Sequence, residues 1–150
     1  MAQKGQLAMT RISRELGELT AIRQIGEGSD PFIIYERVQA LNGIPTRRIF
    51  AIHFNSADHA VRLYTDLDSG IATLDADQIG NGDILVDGVS SFNLAYYQGA
   101  NTLAWQFDLQ LLSTIAITLD LTRPDAPDHS QHFATLVQMR NTDNLGGAAP

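Results

Sequence analysis

The chain has 150 residues, a formal net charge of −7 and no cysteine. This length fits one domain with a sizeable core, and the 44% hydrophobic and 18% charged fractions are typical of a folded protein. The ten Lys and Arg residues are scattered along an acidic chain, which argues against nucleic acid as a partner. The lack of cysteine excludes disulfides, thiolate catalysis and cysteine-based zinc sites.

The first 28 residues have the spacing of an amphipathic helix. Gly26 and Pro31 predict where this helix ends. Residues 2–8 contain no Ser, Thr, Asp or Asn that could cap its start, so we expect the helix to begin upstream of residue 1. Steps of three and four residues predict a core face formed by Ile12, Leu16, Leu19 and Ile22.

From Pro31 onward the apolar period changes from 3.6 to about 2, which predicts strands. The clearest run is 114–121, where Ile and Leu alternate with smaller or polar residues. Pro124 and Pro127 favour a loop over 122–130. No second strong helical pattern separates the strands, so antiparallel pairing is favoured over βαβ units. The predicted strands are 32–38, 48–54, 60–64, 91–97, 114–121 and 132–139.

Several segments carry a family resemblance. RISRELGELTAIRQI, a Gly-rich break and PFIIYERV resemble the second half of the pilin helix and the first strand of minor pilins and pseudopilins. The order AVRLY, VDGVSSFNLAYYQGANTLAW, LLSTIAITLDL and HFATLVQMRNTDN is similar to that of the pseudopilin J or PilW-like group. One departure is YYQG, where that group more often has an acidic YYDG.

The resemblance implies an α+β, pilin-like fold, with one long N-terminal α-helix packed on antiparallel β-sheets. Residues 1–28 would be the C-terminal half of the pilin-type helix, 29–144 the antiparallel β domain and 145–150 a flexible tail. The native protein would begin with about 20 further apolar residues that anchor it in the inner membrane, with the β domain in the periplasm until filament assembly.

The implied function is that of a non-catalytic minor pilin or minor pseudopilin. Such a subunit joins a type IV pilus or a type II secretion pseudopilus at or near its tip, and its partners are other minor subunits and the major filament subunit. Surface charges set register and partner choice. The helix residues expected to contact neighbouring subunits are therefore Arg11, Arg14, Glu15 and Glu18.

Two patterns suggest metal ligands. His129 and His132 lie near two aspartates, but loop or strand geometry would point the two rings in different directions, so solvated histidines are the simpler interpretation. The acidic segment 66–83, with Asp75, Asp77 and Asp83, offers oxygen ligands for calcium. Its register does not fit an EF-hand, which leaves an irregular calcium site or a plain acidic loop.

No G-x-S-x-G, P-loop or H-E-x-x-H motif is present, and we expect neither catalysis nor a required cofactor. A small periplasmic ligand-binding β domain is the alternative function. Its groove would be lined by strand aromatics, which otherwise pack across strands. These aromatics are Tyr35, Tyr64, Phe92, Tyr96, Tyr97, Trp105 and Phe107.

Overall fold

A computed structural model describes residues 2–65, 67, 82–104, 107–123 and 125–139. One α-helix, α1, spans Ala2–Gly17, and one 3-10 turn spans Leu109–Leu111. No described helix combines the length and the apolar composition that a bilayer crossing requires. The strands are β1 Ala21–Gly26, β2 Phe32–Leu41, β3 Ile44–Asn55, β4 Ala60–Tyr64, β5 Asp83–Val86, β6 Val89–Gln98, β7 Asn101–Thr102, β8 Thr114–Arg123 and β9 Ala126–Gln138.

The strands form two antiparallel sheets. Sheet A has the order β1-β2-β3-β4-β5, so each strand pairs with its neighbour in the chain, and sheet B has the order β7-β6-β8-β9. Asn42 and Gly43 close the β2–β3 hairpin with φ angles of 53° and 79°. An Asn-Gly pair with positive φ at both positions is the preferred two-residue hairpin turn, because its twist matches that of the strands. The predicted α+β class with antiparallel pairing is confirmed.

The core lies between α1 and the inner faces of both sheets. Ile12 and Leu16 are fully buried on α1, and Ile117 on β8 and Phe92 on β6 belong to the same cluster. The helix approaches β9 closely at Gly5, where a Cβ atom would lie 2.3 Å from the ring of Phe133. Any side chain at this point of the helix would therefore force the Phe133 ring to move.

The helix is shorter than the sequence predicts. It ends at Gly17, and residues 21–26 form β1 instead of further helical turns. Leu19 and Ile22 are buried in the core as predicted, but they lie outside the helix. The pairing of β1 with β2 shifts register between Ile22 and Gln24, and this bulge allows Ile22 and Ile25 both to be buried. A three-residue spacing in a bulged strand thus imitates a helical period.

All six predicted strands are confirmed as parts of β2, β3, β4, β6, β8 and β9. The predicted loop over 122–130 is wrong, because β8 continues to Arg123 and β9 starts at Ala126. Proline is tolerated in β9 because it is the edge strand of sheet B and one of its sides needs no partner. The predicted 145–150 tail lies outside the described residues.

Candidate functional site

A buried ionic network joins the end of α1 to β2. The Glu15 carboxylate accepts a hydrogen bond of 2.7 Å from the Tyr35 hydroxyl and one of 2.7 Å from Arg37 Nη1. Arg37 Nη2 also donates to Glu18. The Arg37 guanidinium lies 5.3 Å from the centre of the Phe50 ring, within cation–π distance. One arginine therefore bridges the Glu15 carboxylate of α1 and the Glu18 carboxylate just after it, and this fixes the helix end on sheet A.

The surroundings of Tyr35 and Arg37 keep both side chains protonated, as their hydrogen bonds to Glu15 require. Burial, followed by the Glu15 carboxylate, raises the pKa of Tyr35 well above its usual value, so the hydroxyl stays protonated and donates. Burial alone would lower the pKa of Arg37, but the neighbouring carboxylates outweigh it and raise that pKa. Near neutral pH, Tyr35 is therefore a hydrogen-bond donor and Arg37 a cation within this network.

The predicted partner-binding residues of α1 fall into two groups. Arg11 and Arg14 are exposed on the helix, as the sequence predicts. Glu15 is buried, and both Glu15 and Glu18 bond to Arg37 within the chain. The expected exposed position of Glu15 is therefore wrong, because its partners come from β2, which is distant in sequence. Contact of Arg11 and Arg14 with other subunits stays a prediction.

The two candidate metal histidines lie on β9 and do not converge. Positions three apart in a strand point to opposite faces, so His129 and His132 cannot share one ion. His132 Nδ1 lies 2.6 Å from Asp120 Oδ1, and Ser91 Oγ donates to Asp120 Oδ2 at 2.6 Å. Burial alone would raise the pKa of Asp120, but these two hydrogen bonds lower it. The serine bonds the aspartate and not the histidine, so this is not a nucleophilic triad.

The calcium hypothesis concerns residues that are mostly outside the described part of the chain. Asp75 and Asp77 lie outside the described residues, whereas Asp83 begins β5 and is exposed. Within the described ranges, no three His, Asp or Glu residues are grouped closely enough to hold a metal ion. The calcium site therefore stays a prediction for the 66–83 segment.

The strand aromatics pack mainly into the core. Tyr35 stacks on Phe50 at 5.8 Å between ring centres, and Tyr96 contacts Phe107 at 5.6 Å. Phe54 and Phe92 join sheets A and B at 6.5 Å. Tyr64 and Phe92 are buried and Tyr97 is half-buried, while Trp105 lies outside the described residues. These contacts favour the packing interpretation for most of the set.

One aromatic faces a cavity. Tyr96 is almost fully buried, and among the described residues its hydroxyl has no hydrogen-bond partner. It lines an open cavity of about 270 Å³ between the 26–31 loop and β6, together with Glu27 and Leu103. Burial, followed by the Glu27 carboxylate, raises the pKa of Tyr96, so the hydroxyl is protonated.

A second buried polar group, His53, lies on the face of sheet A that points away from the main core. His53 on β3 is buried between Phe32 and Tyr64, and its Nδ1 has no hydrogen-bond partner among the described residues. Burial is the main cause of a lowered pKa at His53, opposed by Asp30 and reinforced by Arg62. This histidine is therefore neutral at neutral pH.

A larger cavity lies at the end of the molecule where α1 begins. Its volume is about 670 Å³, and its lining includes Lys4, Asp58, His59, Asp87, Leu121 and Arg123. Lys4 Nζ pairs with Asp87, and this hydrogen bond lowers the pKa of the aspartate despite partial burial. The cavity is formed by two turns, the end of β8 and the first helical turn, with both charge signs at its rim.

Comparison with known proteins identifies the fold. No protein-family model matches the sequence, and no curated protein matches it. Among solved structures, a type IV-like pilin from Thermus thermophilus is similar, with a TM-score of 0.67 and 14% sequence identity over 94% of this chain and 97% of that chain. Nearly the whole chain, helix and both sheets included, therefore has a type IV pilin-like fold.

Proposed function

We propose that the chain is a non-catalytic, pilin-like filament subunit, specifically a minor pilin or minor pseudopilin. It would assemble at or near the tip of a type IV pilus or a type II secretion pseudopilus. The observation that carries the proposal is the pilin-like fold over almost the full length. The minor rank and the tip position rest on the sequence resemblance of the helix end and of the strands that follow it.

The partners in this proposal are other minor subunits and the major filament subunit. The exposed arginines Arg11 and Arg14 lie on the solvent side of α1, where they can contact acidic groups of a neighbour. In the native form, an apolar segment preceding α1 would hold the protein in the inner membrane, with the β domain in the periplasm. No cofactor is needed for this role, and calcium in the 66–83 segment would be structural.

Co-purification of this domain with the globular domains of the other minor subunits encoded beside it tests the proposal. We expect a defined heteromer by size exclusion with light scattering. The double substitution Arg11→Glu and Arg14→Glu should weaken it at least tenfold, while Arg123→Glu, which reverses the charge of an exposed arginine at the end of β8, should not. A monomer in every mixture, together with an upstream coding sequence that lacks an apolar segment, would refute the proposal.

A periplasmic ligand-binding β domain is the second candidate function, favoured by the cavity that Tyr96 lines and by the lack of a partner for its buried hydroxyl among the described residues. A buried hydroxyl without a partner is costly, and a ligand acceptor at that position would remove the cost. A thermal-shift screen of small sugars would support this candidate if a shift were lost in Tyr96→Phe. If wild type and Tyr96→Phe respond alike to every sugar, the candidate fails.

A further inference from the structure

Three of the four sheet edges are poor templates for a further strand. β1 carries a bulge between Ile22 and Gln24, β5 has four residues and β7 has two. Short or bulged edge strands offer little backbone to another chain, and natural proteins use both devices to avoid unwanted pairing. The fourth edge is β9, which has 13 residues and pairs with β8 without a register shift from residue 130 to residue 138. β9 is therefore the one long, regular edge strand in the part of the chain that the structure describes.

The side chains of β9 do not protect this edge. From residue 128 to residue 138 the strand contains no lysine, arginine or proline, and its one carboxylate is Asp128. Ala134 is exposed, and Leu136 on the outer face of sheet B is 65% exposed. Edge strands that must stay unpaired usually carry lysine, proline or an inward-pointing charge. β9 thus has the composition of a strand that can accept a partner.

The hydrogen bonds of β9 indicate which of its residues direct their backbone groups outward. Met139 N–H donates to the carbonyl of Ser113, just before β8, at 2.9 Å. Consecutive residues of an antiparallel strand direct their N–H and C=O groups to opposite edges. The odd-numbered residues therefore face β8, while His132, Ala134 and Leu136 direct their backbone groups away from the sheet. No described strand pairs with β9 on that side, so these groups are available to a second strand.

A groove follows this edge beside α1. Its volume is about 510 Å³, and it is lined by Gln6, Thr10 and Ser13 of α1 and by residues 132–135 of β9. Side chains of consecutive strand residues point to opposite faces, so one groove can touch all of 132–135 only where it follows the strand edge. These four residues span about 13 Å at roughly 3.3 Å per residue. The groove therefore has the position and the length for a short extended segment.

The walls of the groove define the chemistry of its occupant. The α1 wall offers an amide and two hydroxyls. Arg14 is exposed and lies next to this wall, because it follows Thr10 by four residues and such residues are neighbours on a helix. On the outer face, Ala134 and Leu136 offer small and apolar contacts. The segment that fits thus alternates: polar residues with an acidic group near Arg14 face α1, and small or apolar residues face outward.

We infer that β9 accepts an extended segment of a neighbouring minor subunit as an added strand of sheet B, through backbone hydrogen bonds to His132, Ala134 and Leu136. In strand addition to a sheet edge, the main chain supplies affinity and alternate side chains supply specificity. A second copy of this chain is disfavoured as the occupant by its own net charge of −7. This inference rests on the proposed function and names the surface through which a different subunit would bind.

The substitution Ala134→Pro tests the backbone contact. The N–H that it removes faces the groove and not β8, and edge strands tolerate proline at such positions. We expect Ala134→Pro to raise the dissociation constant of the heteromer with the neighbouring minor subunits at least tenfold. The matched control Ala134→Ser keeps the N–H at the same position and should change that constant less than about twofold. Circular dichroism of each variant checks that sheet B is intact.

A second pair of variants tests the edge through charge. Ala134→Lys adds to β9 the charged side chain that protects natural edges, and it should weaken the heteromer several-fold. Thr118→Lys makes the same charge change directly opposite Ala134 on the same face, but on the interior strand β8. Because β8 already has a strand on both sides, Thr118→Lys should leave the heteromer unchanged.

Hydrogen exchange followed by NMR gives the direct readout. In the heteromer, the amides of His132, Ala134 and Leu136 should exchange at least tenfold more slowly than in the free domain, because the added strand bonds to them. The amides of β1, at the edge of the other sheet, should exchange at the same rate in both samples.

A heteromer with unchanged exchange at these three amides, or with equal affinity for Ala134→Pro and Ala134→Ser, would overturn the inference and leave the proposed function standing. Dimerisation of the domain by itself, with slower exchange at the same amides, would also overturn it, because a second copy would then be the occupant. A monomer in every mixture would overturn it too, and the upstream coding sequence would then decide whether the proposed function fails with it.

Discussion

The substitution Arg37→Met removes the cation from the buried network and keeps most of the side-chain stem against Phe50. Glu15 would then retain the Tyr35 hydrogen bond but lose its counter-charge. Removing one partner of a buried ion pair costs about 3–5 kcal/mol. The Glu15 and Arg37 side chains are 11% and 14% exposed, so water can reach the orphaned carboxylate. We therefore expect a loss near the lower limit, about 3 kcal/mol.

Urea unfolding followed by circular dichroism measures this loss. The urea midpoint should be lower in the variant than in the wild type, while the slope of the free energy of unfolding against urea concentration stays the same. For a domain of this size, a loss of about 3 kcal/mol corresponds to a drop in Tm of roughly 6–12 °C. The control is Arg47→Met, which should cost less than about 1 kcal/mol, because Arg47 is 74% exposed and the buried Glu36 keeps its pair with Arg23. Adding Glu15→Gln to Arg37→Met should recover much of the stability, because a neutral amide needs no counter-charge. Equal losses in Arg37→Met and Arg47→Met would refute the reasoning.

Three further predictions test local features. Gly5→Ala should destabilise by about 1–3 kcal/mol because its Cβ would overlap the Phe133 ring, whereas Gly17→Ala, with its nearest neighbour at 3.7 Å, should be neutral or stabilising by up to about 1 kcal/mol. Acidification below about pH 6.5 should destabilise the protein through His53, whose folded pKa is lowered, and His53→Leu should remove this part of the pH dependence of the free energy of unfolding. The lowered pKa of Asp120 contributes stability above about pH 4 that is lost on further acidification, so Asp120→Asn should flatten the acid end of the same curve.

The strands were predictable because their pattern is local. In 114–121 every second residue points into the core, and β8 buries Ile115, Ile117, Leu119 and Leu121 as the alternation indicates. Sequence reasoning did not find β1, because its bulge buries Ile22 and Ile25 at a spacing of three, which matches a helix as well as a bulged strand. Gly17 marked the true helix end, but a glycine is common enough inside helical patterns that it did not outweigh the apolar stripe.

The candidate site was predictable only in part, for a physical reason. The exposure of Arg11 and Arg14 follows from their helix positions alone. The burial of Glu15 depends on Tyr35 and Arg37, which lie 20 and 22 residues later and are brought to it by the β1–β2 hairpin. No local pattern distinguishes a carboxylate that will find a buried arginine from one that faces water. The projection of the β2–β3 hairpin tip was hidden for the same reason, since it depends on where β1 and β4 stop pairing.

The close approach of Gly5 to Phe133 also determines the order in which the domain can fold. Sheet A consists of hairpins between consecutive strands, so it can grow as the chain emerges. The 16-residue helix is marginal by itself in water, and its main strand partner in sheet B is β9, the last strand among the described residues. Bringing α1 and β9 together closes the long stretch of chain between them, and this entropic cost is recovered only when β9 is in place. The apolar face of α1 is therefore fully covered only when this strand has been added, so the core of the domain is completed late in synthesis.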